Sequence, residues 1–164
     1  METGDETLVK SAAEVVKDVC YNYRDQMTAG MIIGGWDARR GGQVYAIPIG
    51  GMIVRQAVAI GGSGSSYIYG FVDASFKEGM QQDDCVEFVK KCESVCKKSV
   101  SVTSDPKLSA IQIIEWYRIS GLGLAIARDG SSGGVIRIGV ITKDGVKRLV
   151  FTPTMNEYPK FYEG

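Results

Sequence analysis

The sequence predicts an α+β fold with antiparallel strands and helices segregated into layers. Three observations carry this. An amphipathic helical period covers residues 6–27. A series of short apolar runs broken by glycine-rich corners follows, from residue 29 to residue 60. A second strand pair with its own hairpin signal lies at 134–152. The links between strands are too short for crossover helices, which excludes a doubly wound parallel sheet.

The first helix rests on Leu8, Ala12, Val15, Val16, Val19, Cys20 and Tyr23, which recur at intervals of three and four. Residues 29–36 are apolar without a helical period and read as a buried strand. Asp37–Gly42 is a turn, and Gln43–Ile47 is its hairpin partner. Residues 48–51 form a second turn, and Met52–Ile60 reads as one further strand. Tyr67–Phe76 reads as a short helix. Asp83 and Asp84 mark the acidic start of the next one, where carboxylates favour the positive end of the helix dipole. Leu122–Ala127 reads as the buried second half of that helix. Gly134–Thr142 and Val146–Thr152 are strands joined by Lys143–Gly145. The expected order is therefore helix, three strands, two helices, two strands.

Composition bounds the function. The chain has 164 residues, of which 45% are apolar and 23% charged, enough for one ordinary globular core. Its net charge is zero, so no nucleic-acid partner is expected. No apolar run reaches the ~18 residues of a membrane span, and no membrane partner is expected. The first six residues are polar and acidic, unlike a secretory signal. There is no histidine, which removes the usual base of serine and cysteine hydrolases. The four cysteines, Cys20, Cys85, Cys92 and Cys96, have no C-x-x-C spacing. They read as reduced cytosolic thiols, with no metal and no cofactor expected.

Two glycine–serine clusters stand out, Gly61–Ser66 and Arg128–Gly134. Each lies where a strand-like run meets a helix-like run. Glycines there let the backbone approach another group closely, and the hydroxyls can donate and accept. Taken alone, Ser63, Asp129 and Ser132 also fit helix-capping corners. Neither cluster has the spacing of a phosphate-binding loop. Arg39–Arg40, Lys90–Lys91 and Lys97–Lys98 read as solvated charges.

Gly41–Tyr45, Gly50–Gln56, Ile60–Asp73 and Ala127–Arg137 together closely resemble a proteasome beta-type subunit. The Gly-Ser-Gly-Ser-Ser and Arg-Asp-Gly-Ser-Ser-Gly-Gly blocks resemble the caspase-like (beta1-type) class of the eukaryotic core particle. The resemblance covers roughly residues 8–91 and 121–152. It implies an N-terminal-nucleophile hydrolase fold, a four-layer αββα sandwich of two face-to-face sheets with helices outside each. It implies a threonine endopeptidase cleaving after acidic residues, in which a lysine and an aspartate tune the threonine and no histidine is needed. Ser63, Asp129 and Ser132 match the supporting shell of that site. The resemblance also implies a heteromeric ring of proteasome alpha and beta subunits, unfolded polypeptides as substrates, and a location in cytoplasm and nucleus. Pro48–Val54 matches a segment that helps wall a neighbouring subunit's channel.

Two departures from the family pattern set further expectations. No match to the family's threonine, lysine or first strands is found, so residues 1–164 are expected to be a single partial domain, truncated at its amino terminus and inactive alone. The alternatives are a non-catalytic structural or regulatory subunit, or a nonfunctional product. Residues 92–120 are expected to be a non-family insertion arising from an incomplete gene model or a splice product. With them removed, Lys91 meets Gly121 and the helical period continues. In that reading, the aromatic stripe at Trp116–Tyr117 belongs to the insertion. Residues 153–164 form a polar, aromatic tail.

Overall fold

The computed structural model describes residues 7–26, 28–61, 65–95, 100–103, 109–113 and 136–151. Helix α1 spans Val9–Asn22. Strands β1 (Met31–Asp37), β2 (Gly41–Ile47), β3 (Val54–Gln56) and β4 (Val58–Ile60) follow. A short 3-10 turn, Ser65–Tyr67, leads into α2 (Tyr69–Ser75) and α3 (Gln82–Val95). Strands β5 (Val100–Thr103), β6 (Ser109–Ile113), β7 (Ile136–Thr142) and β8 (Gly145–Phe151) complete the described elements. The α+β class is as the sequence predicts, with every described strand pair antiparallel.

The strands form two sheets, β1-β2-β3 and β4-β5-β6-β7-β8. The run expected to be one strand over Met52–Ile60 is divided. Val54–Gln56 pairs with β2, while Val58–Ile60 pairs with β5 in the other sheet. A bend at Ala57 transfers the chain between sheets. The sequence does not reveal such a transfer, because the polar Arg55–Gln56 pair fits one solvated strand as well as a change of sheet. Residues 92–120 also contribute regular elements among the described residues. Helix α3 continues past Lys91 to Val95, and Cys92 is fully buried in it. Two further strands, β5 and β6, come from the same segment. The expected helical half at Leu122–Ala127, the aromatic stripe and the tail at 153–164 lie outside the described residues.

Helix α1 lies on β1 and β2, α3 lies against β5, β6 and β7, and β1 and β2 neighbour β5 and β6. Helix α1 buries Val9, Ala13 and Cys20, while Val15, Val19 and Tyr23 of the expected stripe are exposed. The reason is close approach to the sheet. A Cβ on Gly35 of β1 would sit 2.8 Å from a Val9 methyl, so the inward face is the one that seats Val9 over this glycine. At the other end of α1, Gly51 has φ +81, and a Cβ there would lie 2.8 Å from the backbone of Tyr21. Glycine is therefore required where the β2–β3 turn meets the helix.

The larger core joins α2, α3 and the five-stranded sheet. Ile68, Val72, Cys85, Phe88, Val89, Cys92, Ile138 and Val140 are buried together, with Val58 and Ile60 of β4 packed against them. Phe88 stacks on Phe71 at 6.1 Å between ring centroids and meets Phe76 at 5.9 Å in a tilted pair. These contacts pin α2 to α3. The β7–β8 hairpin turns at Lys143–Asp144 as predicted, with Gly145 at φ +120.

Candidate functional site

Ser63, Asp129 and Ser132 lie outside the described residues. The described elements fix where the chain enters and leaves their segments. Strand β4 ends at Ile60, and the 3-10 turn resumes at Ser65. Strand β7 begins at Ile136. Both points lie at the same end of the five-stranded sheet. Ala59 pairs with Ser101, Ser101 with Gln112, and Gln112 with Gly139, one continuous row across four strands. In that row β4 and β7 are three strand spacings apart, about 14 Å at the usual antiparallel spacing. Strands β5 and β6 lie between them.

A polar centre lies under α1, at the Asp37–Gly42 segment that the sequence marks only as a turn. Asp37 is 2% exposed. Its Oδ1 accepts the backbone N–H groups of Arg39 at 3.1 Å and Arg40 at 2.8 Å. Its Oδ2 accepts the Val9 N–H at 3.2 Å and a Gln43 side-chain N–H. The Tyr45 hydroxyl then donates to Gln43 Oε1 at 2.9 Å. Burial pushes the Asp37 carboxyl upward, but the donors from Gln43, Arg40, Val9 and Arg39 outweigh it, and the net shift is downward. The signal for this was present in the sequence. An Asp opening a turn accepts amides two and three residues on. The contact to Val9, 28 residues away, had no local signal.

This centre builds structure rather than chemistry. A carboxylate has about four acceptor positions, and four donors fill those of Asp37. None is left to act as a base or to hold a metal. A depression of about 140 Å³ beside it is lined by Leu8, Lys10, Asp37, Arg39 and Arg40. That is smaller than the ~300 Å³ at which ligand pockets begin. Arg39 and Arg40 are exposed, in keeping with a solvated turn. The Cys85 thiol is buried and pushed up to about 12 by desolvation, so it stays protonated near neutral pH and is no nucleophile. Among the described residues no group of three His, Cys, Asp or Glu side chains could hold a metal ion. Among those residues, no helix is long and apolar enough to cross a membrane.

The family described as "Proteasome subunit" matches residues 1–107. The chain is 41% identical over 163 residues to "Proteasome subunit beta type-6" of Dictyostelium discoideum, covering 99% of this chain and 62% of that protein. It belongs to the proteasome beta-type subunit family. Two further relatives agree. "Probable proteasome subunit beta type-1" of Schizosaccharomyces pombe is 38% identical over 98% of this chain and 59% of its own length. "Proteasome subunit beta type-9" of Homo sapiens is 41% identical over 99% of this chain and 60% of its own length. The chain thus spans about three fifths of the length of the relatives it matches. As a proteasome beta-type family member, it carries the α+β fold of the N-terminal-nucleophile hydrolases.

Proposed function

We propose that this chain is a beta-type component of the proteasome core particle, of the caspase-like class that cleaves polypeptides after acidic residues. The observation that carries this is identity near 40% to named beta subunits along almost the whole chain. The two glycine–serine blocks support the class. In this reading Ser63, Asp129 and Ser132 form the supporting shell of a threonine site. Asp129 orients the threonine's amine or hydroxyl, and the two serines relay a proton through water. The reading assigns no nucleophile within these 164 residues, and no cofactor. The four-layer sandwich is part of the proposal. Its support is the contact series from α1 through the three-stranded and five-stranded sheets to α3. Partners are the other alpha and beta subunits, substrates are unfolded polypeptides, and the location is cytoplasm and nucleus.

A second reading, a ring component that does not cut, is favoured by one observation. Strands β5 and β6 separate the strands that lead into the two glycine–serine blocks. One experiment addresses both readings. The tagged chain is expressed with the remaining core-particle subunits, and the rings are weighed by native mass spectrometry and assayed on a peptide with an acidic cleavage site. Incorporation with turnover sensitive to Ser132→Ala supports the catalytic reading, with the nucleophile supplied from outside these 164 residues. Incorporation without turnover supports the second. A chain absent from every ring defeats both.

A further inference from the structure

We propose that the β5–β6 hairpin is a removable spacer, and that the chain without residues 92–120 pairs β4 directly with β7. The argument rests on the register of the described strands, and it takes the bounds of the excision from the proteasome resemblance. Val58 pairs with Val102, Val102 with Ile111, and Ile111 with Val140. Every neighbouring pair in this row is antiparallel. Taking out two strands therefore leaves β4 antiparallel to β7, with the same residues on the same face. Taking out one strand would make the new pair parallel and demand a different connection.

The side chains of the two outer members already serve one core. Val140 and Ile138 of β7 are buried in the cluster beneath α2 and α3, and Val58 and Ile60 of β4 pack against the same cluster. Closing the gap would bring Val58 opposite Val140 without turning either residue away from the helices. The sequence spacing is compatible with the same excision of the helix. Its buried stripe runs Cys85, Phe88, Val89, Cys92. With residues 92–120 removed, Gly121 takes the place of Cys92. Leu124 and Ala125 then fall three and four residues farther on, the next positions of the stripe. The spacer thus sets the distance between the strand that leads into Gly61–Ser66 and the strand that follows Arg128–Gly134. That distance is about 14 Å with the hairpin in place and about 5 Å without it.

The test is a disulfide trap. Val58→Cys and Val140→Cys are introduced into the 164-residue chain and into the variant lacking 92–120, which are then oxidised and mapped by peptide mass spectrometry. A disulfide needs its Cα atoms within about 7 Å. The 58–140 link is expected as the main product in the deletion variant and is expected to be absent from the full chain. The same link in the full chain overturns the proposal. So does a deletion variant that folds without forming it, or one with no cooperative unfolding transition, because a spacer must be dispensable. Amide hydrogen exchange on the unaltered chain gives a reading independent of the deletion. Residues 101–102 and 110–112 are expected to exchange as slowly as Ile138–Val140. Exchange at the rate of free peptide there would mean that the hairpin does not separate the two strands.

Discussion

The two halves of this molecule are held by different forces. The five-stranded sheet and its helices α2 and α3 meet through an apolar cluster in which aromatic rings and thiols fill the space. The three-stranded sheet and α1 share a much smaller apolar contact, Val9, Ala13 and Tyr45. There the helix is fixed at its ends instead. Its first amide is held by the Asp37 carboxylate, and its last turn sits on Gly51. No side chain of the helix's own N-cap residue, Leu8, does this work. A helix docked by hydrogen bonds to one charged group depends on pH. A helix docked by apolar area does not. The contrast lets the two halves be perturbed separately.

The largest effect is expected from Phe88→Ala. It removes the ring that joins α2 to α3 and leaves a cavity in the main core, at a cost of about 3–5 kcal/mol. Urea unfolding should show this loss equally at pH 7 and pH 4, since no ionisable group in the contact changes charge between them. Gly51→Ala comes next, at about 3 kcal/mol. The left-handed backbone and the contact with the Tyr21 backbone both oppose a methyl group. Its signature is loss of protection at the α1 amides in hydrogen exchange while α3 stays protected.

Asp37→Asn tests the polar attachment and should cost about 1.5–3 kcal/mol at neutral pH, the range for hydrogen bonds to a charged group. Its pH dependence is the more telling result. The folded carboxyl has its pKa lowered relative to the unfolded chain, where it is about 3.9. Its stabilisation is therefore fully present above about pH 5 and is lost as pH falls through the folded value. The stability gap between the natural chain and the Asn variant should narrow steadily below about pH 4. A gap that stays constant down to about pH 2.5 would show that the Asp37 pKa is not lowered on folding and that the buried donors do not stabilise its charge.

The same contrast separates what the sequence could show from what it could not. The apolar runs, the acidic start of α3 and the Lys143–Gly145 turn are local signals, and the structure follows them. The partition of Met52–Ile60 between two sheets is not local, because nothing within the run marks Ala57 as the point where the pairing partner changes. The rotation of α1 was hidden for a related reason. Its period was legible, but the face was decided by the missing side chain of Gly35 on another element. Asp37 was legible as a turn residue and illegible as a helix anchor, since its partner Val9 precedes it by 28 positions. The glycine–serine motifs gave the family, which the relatives bear out. The roles of Ser63, Asp129 and Ser132 rest on those motifs, because all three residues lie outside the described structure.

The smallest effect sharpens the comparison most closely, because it lies where the polar and apolar contacts of α1 meet. The Tyr45 ring is buried against Val9 and Ala13, while its hydroxyl donates to Gln43. Tyr45→Phe keeps the ring and removes one neutral hydrogen bond, for a loss of about 1 kcal/mol. Gln43 keeps its amide on Asp37, as do the three backbone donors, so the charge on Asp37 keeps its stabilising partners. The acid transition should therefore hold its position in Tyr45→Phe although the protein is weaker throughout. If instead the transition moves to higher pH, the tyrosine is orienting Gln43 towards the carboxylate. The anchor of α1 would then be a coupled chain of three residues, and the double variant with Asp37→Asn would cost less than the sum of its parts.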